Sequence, residues 1–111
     1  MSLDGKVDWE QLRDGFEASI RGQLEQLLEG GAAAIDGPIR DASNRLAVAA
    51  RRGRKDLAAE AADQIALAIR EQGLRARAAA PMGALDAFLT GGVNMLLDGA
   101  LAGLGSILKR K

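Results

Sequence analysis

The chain of 111 residues contains no histidine, cysteine or tyrosine. Without histidine it lacks the usual proton carrier near neutral pH, and without cysteine it has neither a thiol nucleophile nor a disulfide framework. The few hydroxyl residues stand outside any nucleophile or phosphate-loop motif: Ser2, Ser19, Ser43, Thr90 and Ser106. We therefore expect a non-enzymatic protein with no catalytic residue, no metal site and no cofactor.

The chain also carries no net charge, because 15 Lys and Arg residues balance 15 Asp and Glu residues. This balance removes any bulk electrostatic case for binding nucleic acid or an anionic membrane. The charges are segregated along the chain, however. Residues 1–30 hold seven acids and three bases (net −4), whereas residues 31–80 hold six acids and nine bases (net +3). Such segments attract each other, either within one chain or between chains.

The start of the chain, MSLDGKVDWEQL, has no apolar run behind a basic beginning, so it predicts no signal peptide. We expect residues 1–7 to be a flexible N-terminus. Ala, Leu, Gly, Arg and Asp dominate the composition and aromatic residues make up only 3%. This usage is typical of helical proteins from GC-rich bacterial or phage-like genomes. The expected location is the cytoplasm, or a particle assembled there, with membrane association left open.

What the sequence does contain is helical periodicity. Residues 8–29 carry their large apolar side chains in one arc of a helix. These side chains are Trp9, Leu12, Phe16, Ile20, Leu24, Leu27 and Leu28. Asp8 predicts an N-cap and Gly30-Gly31 predicts the stop. For Trp9, core packing and the anchoring of an interface are equally good interpretations.

Two further helices are predicted over 38–52 and 56–72, in preference to one long kinked helix. The apolar stripe changes face after Leu57, close to the RRGRKD stretch, where glycine weakens a helix and Asp56 is a candidate cap. Gly37-Pro38 predicts a cap followed by the first helical residue. Residues 73–81 are predicted to form a linker, although LRARAAA could also carry the helix on to Pro81.

The last helix is predicted over 82–108, with Pro81 near its start and Gly91-Gly92 as a point where it could break in two. The fold class is therefore all-α, with residues 1–111 as a single domain. We expect three to four amphipathic helices that form a bundle or a helical hairpin, completed by oligomerisation.

This last helix also raises the question of a membrane. Its length suits a bilayer span, but each central aspartate, Asp86 and Asp98, costs about 2.5–3.5 kcal/mol on insertion. Each large apolar residue returns only about 0.3–0.6 kcal/mol. The span is marginal at best. Gly92, Gly99 and Gly103 line one side of the helix and include a GxxxG, which favours close contact with another helix instead.

The strongest local charge feature is the basic patch Arg51, Arg52, Arg54 and Lys55. It could contact phosphates, or it could pair with the acidic first helix or simply face solvent. No aromatic residue stands nearby to stack on bases. We therefore favour charge pairing or solvation and do not expect nucleic acid as a partner.

Taken together, these features predict a helical assembly or scaffold subunit that self-associates, or packs with protein partners, in a larger bacterial or phage-like, virion-structural complex. The predicted interface residues are Trp9, Leu12, Phe16, Ile20, Leu24, Leu27, Gly92, Leu96, Gly99 and Gly103. The alternative is a membrane-associating or pore-forming protein that uses the glycine-rich amphipathic helix within 81–111.

Overall fold

The computed structural model describes residues 8–78, 80 and 82–109, with side chains as far as Gly103. This part of the chain is all-α, as predicted, and its β-type pairing is a single bridge between Leu28 and Ala76. The helices are α1 (Trp9–Leu27), α2 (Asp36–Arg52), α3 (Asp56–Glu71), α4 (Ala84–Ala87) and α5 (Val93–Lys109). The predicted flexible N-terminus 1–7 lies outside the described residues, as does Pro81.

Helix α1 begins where the sequence predicts but ends at Leu27, two residues before the predicted end, with Leu28 already in an extended conformation. Asp8 is the N-cap, and its carboxylate accepts a hydrogen bond of 3.0 Å from the backbone N–H of Gln11. Beyond the helix, Gly30 and Gly31 both adopt positive φ, at 79° and 81°, which other residues rarely tolerate. The turn that follows is held by Glu25, whose carboxylate accepts a bond of 2.8 Å from the N–H of Ala32.

Helix α2 starts two residues before the predicted position, so the prediction of Pro38 as its first residue is wrong. A 3₁₀ turn (Ala33–Ile35) leads directly into the helix, and the N–H of Asp36 bonds to the carbonyl of Ala33. Pro38 is thus the third helical residue. It is tolerated there because the first four N–H groups of a helix have no partner within it.

The predicted division between α2 and α3 is confirmed. Gly53 ends α2 in the left-handed conformation, with φ at 67°, and the N–H of Arg54 returns to the carbonyl of Ala49 at 2.9 Å. The prediction that Asp56 caps α3 is wrong. Asp56 is already the first helical residue, one position too late for a cap, and its carboxylate accepts a bond of 2.7 Å from Arg54.

The end of α1 is tied to the segment after α3. The N–H of Glu29 donates to the carbonyl of Arg75 at 2.9 Å, and the N–H of Arg77 donates to the carbonyl of Leu27 at 2.7 Å. The guanidinium of Arg77 also reaches the carbonyl of Glu25, at 3.2 Å. Residues 75–77, part of the predicted linker, are therefore fastened to the bundle by backbone pairing.

The C-terminal helical segment begins at Ala84, after Gly83 with φ at 76°, rather than at residue 82. It continues through a π-helical turn (Phe88–Gly92) into α5. The wider turn brings the ring of Phe88 over Gly92, where a Cβ atom would lie only 2.6 Å from Phe88 Cδ1. The glycine pair therefore marks a π-helical turn within a continuing helix.

The core joins all of these helices. Helices α1 and α2, together with the connection between them, supply most of its large side chains, while the contact between α2 and α3 is rich in alanine. The largest fully buried apolar residues are Ile20, Leu24, Leu28, Ile35, Ile39, Leu46, Ile65, Val93 and Leu97. Ser43 is buried among them, and its hydroxyl is satisfied by donating to the carbonyl of Ile39 at 2.8 Å.

Candidate interaction surfaces

The apolar stripe of α1 forms the core of its own chain. Phe16, Ile20 and Leu24 are buried, and Trp9, Leu12 and Leu27 are partly buried against the core. Burial of the first three within the chain removes them from any surface that a folded copy presents. Of the two interpretations of Trp9, the structure shows it packed against the core, with the guanidinium of Arg51 5.9 Å from its ring centroid.

The outer face of α1 carries small side chains that the apolar pattern of the sequence does not single out. Gly15, Ala18 and Gly22 are exposed along it, and a methyl group built on either glycine meets no described atom within 4 Å. Glycine in a helix interior is less favourable than alanine by about 1 kcal/mol. No contact within the described chain requires glycine at these two positions. The lack of side chains on this face is therefore not explained by packing inside the chain.

Ion pairs link the helices within the chain. Glu17 of α1 accepts from Arg21 at 3.1 Å and from Arg40 of α2 at 3.3 Å. Arg21 also pairs with Asp36 at the start of α2. The acidic first helix and the basic middle of the chain therefore attract each other within one molecule. Glu17 is only 12% exposed, but its partners Arg21 and Arg40 are 41% and 69% exposed. Each such pair therefore contributes about 1 kcal/mol.

Most of the predicted basic patch is paired as well. Arg54 bonds Asp56 at 2.7 Å, and this hydrogen bond lowers the pKa of the Asp56 carboxyl group. Lys55 pairs with Asp98 of α5 at 3.2 Å. Lys55 also lines a pocket of about 300 Å³ together with Leu89 and Thr90. Arg52 is exposed and has no ion-pair partner among the described residues. The patch thus joins the α2–α3 junction to α5 and leaves Arg52 facing solvent.

A groove of about 510 Å³ runs along the outer side of α2 and α3. Its lining combines charged groups of both signs with apolar and amide groups: Asp41, Asn44, Arg45, Val48, Arg52, Arg54, Leu57 and Gln64. The Oε1 atom of Gln64 is buried and has no hydrogen-bond partner among the described residues. An unsatisfied buried acceptor of this kind costs the fold about 1–3 kcal/mol.

Helix α5 is held to the bundle by few buried side chains. In its described side chains only Val93 and Leu97 are buried, with the ring of Phe88 seated just before them. On the opposite side the exposed residues are small or flexible: Met95, Gly99, Ala102 and Gly103. Met95 is 73% exposed, and a methyl group built on Gly99 or Gly103 meets no described atom within 4 Å.

The predicted interface residues on this helix therefore divide into two groups. Gly92 and Leu96 are half-buried in their own chain. Gly92 lies against the ring of Phe88, and Leu96 packs against the core. Gly99 and Gly103 face outward. An interface role for the outward pair stays a prediction.

The described residues contain neither a candidate metal site nor a candidate membrane-spanning helix. No cluster of three or more potential metal ligands occurs in that part of the chain. Within the same residues, none of the helices combines the length and the apolar character that crossing a bilayer requires.

Comparison of the chain with protein-family models, with curated proteins and with solved structures finds no match. A function for the chain must therefore be inferred from its surfaces.

Proposed function

We propose that the chain is a non-enzymatic helical subunit that self-associates, or packs with protein partners, into a larger bacterial or phage-like assembly such as a virion. The observation that carries the proposal is the outward face of α5, where Met95 is 73% exposed beside Gly99 and Gly103. An apolar helix that presents a flexible thioether next to a glycine strip is suited to contact with another protein surface.

The distribution of exposed apolar groups supports this proposal. Single exposed apolar residues are common in monomeric proteins and need no explanation. In the described part of the chain, however, the two most exposed large apolar side chains are Met82 and Met95, and both belong to the C-terminal segment, residues 82–109. The same segment contributes only Phe88, Val93 and Leu97 to the buried core. The segment therefore has apolar surface left over after the fold is complete.

The glycines of α5 support it further. Each exposed glycine costs the helix about 1 kcal/mol relative to alanine, and no described neighbour needs the space. Close approach of a second helix would use that space, because a glycine strip lets two backbones meet at short distance.

Light scattering coupled to size exclusion tests the proposal when it compares three proteins. The wild-type chain is expected to elute as an oligomer at micromolar concentration. Met95→Glu is expected to shift it towards the monomer, because it places a charge in the apolar contact. The matched control is Leu67→Glu, which changes a residue 51% exposed on α3 and is expected to leave the mass unchanged. An equal mass for wild type and Met95→Glu would contradict the role of α5.

A second candidate function, attachment to a membrane surface, is favoured by the same exposed face. An amphipathic helix can lie in the interface of a bilayer without crossing it. Flotation with vesicles containing anionic lipid separates the two functions. Binding that Met95→Glu abolishes would favour the membrane, whereas wild-type protein that stays at the bottom of the gradient would exclude this candidate.

A further inference from the structure

The helical segment from α4 to the end of α5, residues 84–109, is held to the rest of the bundle by few buried side chains, and we call it the arm. Its buried described side chains are Phe88, Val93 and Leu97, whereas the other buried core residues that the structure describes all lie between residues 16 and 69. Five more arm residues pack against the core while only half-buried: Leu85, Leu89, Leu96, Ala100 and Leu101. Helices α1, α2 and α3 therefore keep most of their own core without the arm.

Polar contacts between the arm and these three helices are also sparse. Between residues that the structure describes, the one ion pair joins Lys55 to Asp98, whose side chains are 64% and 48% exposed. Packing is incomplete as well, because a pocket of about 300 Å³ is lined by Ala58 of α3 and by Leu89 and Asn94 of the arm. An exposed ion pair adds little stability, so a small number of apolar contacts holds the arm in place.

The connection before the arm allows it to leave without disturbing α1. The chain is fastened to the end of α1 as far as Arg77, whose N–H donates to the carbonyl of Leu27 at 2.7 Å. Just before the arm, Met82 is fully exposed and Gly83 adopts a positive φ of 76°. Glycine accepts both signs of φ, and a methyl group built on Gly83 meets no described atom within 4 Å. A change of backbone conformation at Gly83 therefore meets little steric resistance, which suits a hinge.

We propose that the arm opens as one unit about Gly83 while α1, α2 and α3 stay folded. Local openings of this kind occur where few buried contacts hold an element, and they cost less free energy than unfolding of the whole chain. Once undocked, the arm loses most of its helix, because its glycines and short length leave an isolated helix marginal in water.

Opening changes the surface of the molecule. It uncovers Phe88, Val93 and Leu97, which are buried in the closed form, and it also uncovers the side of α3 against which they pack. The position of the arm therefore sets how much apolar surface the chain presents to a partner. This inference goes beyond the proposed function, because it holds for a monomer as well as for an oligomer.

Hydrogen exchange of backbone amides, resolved by residue with NMR, tests the proposal on the full chain. In wild type, amides of the arm are expected to exchange at least about tenfold faster than the slowest amides of α2. Two matched substitutions of exposed helical alanines then distinguish two folding units from one: Ala18→Gly in α1 and Ala87→Gly in the arm. Each weakens its own helix by the difference in propensity between alanine and glycine, which changes an equilibrium constant by about fivefold.

The two variants are expected to give different patterns. Helix α1 is folded both before and after the arm opens, so Ala18→Gly should speed exchange in α2 by about fivefold and leave exchange in the arm unchanged. Ala87→Gly should speed both by about fivefold, because the arm is unfolded in the open state and in the fully unfolded chain alike. Equal acceleration of the arm and of α2 by Ala18→Gly overturns the proposal, because the whole chain then opens as a single unit.

A third variant separates this proposal from self-association. A contact of α5 with another copy slows exchange in the arm, so the comparison is repeated with Met95→Glu as the parent protein. Arm amides that exchange as slowly as those of α2 in this parent overturn the detachable arm and leave the proposed function standing. A wild-type chain that is monomeric, with an arm that exchanges faster than α2, supports the arm and overturns self-association.

Discussion

The close approach of Phe88 to Gly92 gives a prediction whose magnitude can be worked out from the structure. The change is Gly92→Ala, which adds a Cβ atom 2.6 Å from Cδ1 and 3.3 Å from Cγ of the Phe88 ring. Real Cβ atoms do not approach other heavy atoms so closely, so the ring must move. The ring is only 8% exposed and therefore has little room in which to do so.

Two effects of opposite sign decide the result. Alanine is more favourable than glycine in a helix by about 1 kcal/mol, whereas overpacking a core typically costs about 1–3 kcal/mol. The neighbouring residue separates the two effects, because a methyl group built on Gly91 meets no described atom within 4 Å. Gly91→Ala should therefore show the propensity gain alone. We expect Gly92→Ala to be less stable than Gly91→Ala by about 1–3 kcal/mol, the cost of overpacking.

The assay is urea unfolding followed by helical circular dichroism, with the free energy of unfolding extrapolated to water for both variants. Two further proteins, Phe88→Leu and Phe88→Leu with Gly92→Ala, check the mechanism. The smaller leucine side chain leaves space for the new methyl group, so Gly92→Ala should cost less in the Phe88→Leu background than in wild type. Equal stability of Gly91→Ala and Gly92→Ala would refute the reasoning, because the contact with Phe88 would then carry no energy.

Three further predictions use the same unfolding measurement. Asp8→Ala should lower the free energy of unfolding by about 1 kcal/mol, since it removes the cap bond to the N–H of Gln11, and Asp8→Asn should restore most of the loss. Leu46→Ala should lower it by about 2–5 kcal/mol, because Leu46 is fully buried in α2; a loss below 1 kcal/mol would contradict its place in the core. Gly22→Ala should raise it by up to about 1 kcal/mol, because the exposed position has space for the methyl group; a loss of stability in the monomer would contradict that geometry.

The sequence predicts the helices of this fold well because their ends are marked by local chemistry. Asp8 caps α1 and Gly53 ends α2 through groups of their own turns, which needs no knowledge of distant contacts. Helix α1 ends at Leu27, before the predicted stop at Gly30-Gly31. The start of α2 is harder to predict. The 3₁₀ turn before it depends on Ile35 being buried in the core, and proline tolerates several positions in a first turn equally well.

Features formed by distant residues could not be predicted in this way. The pairing of Leu27 and Glu29 with residues 75–77 uses backbone groups alone, so no side-chain pattern announces it. The π-helical turn likewise depends on where the Phe88 side chain packs in the core. Glycine at 91 and 92 indicates only that the helix is weak there.

The candidate surfaces also include features that the sequence predicts and features that form only on folding. An apolar stripe is correctly read as a buried face, but its sequence does not say whether its own chain or another one covers it. The structure covers the α1 stripe within the chain, so that Gly99 and Gly103 of α5 are the predicted interface positions that face outward, beside the exposed Met95. The groove between α2 and α3 brings together residues up to 23 positions apart, Asp41 to Gln64, and therefore appears only after folding.

The central claim is that the folded chain associates with itself, and its mass in solution tests this claim most directly. Light scattering coupled to size exclusion on the wild-type protein, across a range of micromolar concentrations, reports that mass without reference to shape. We expect a mass of at least twice 11.6 kDa that grows or holds steady as the protein concentration rises. A helical, cooperatively unfolding protein that stays at 11.6 kDa over the whole range would contradict it.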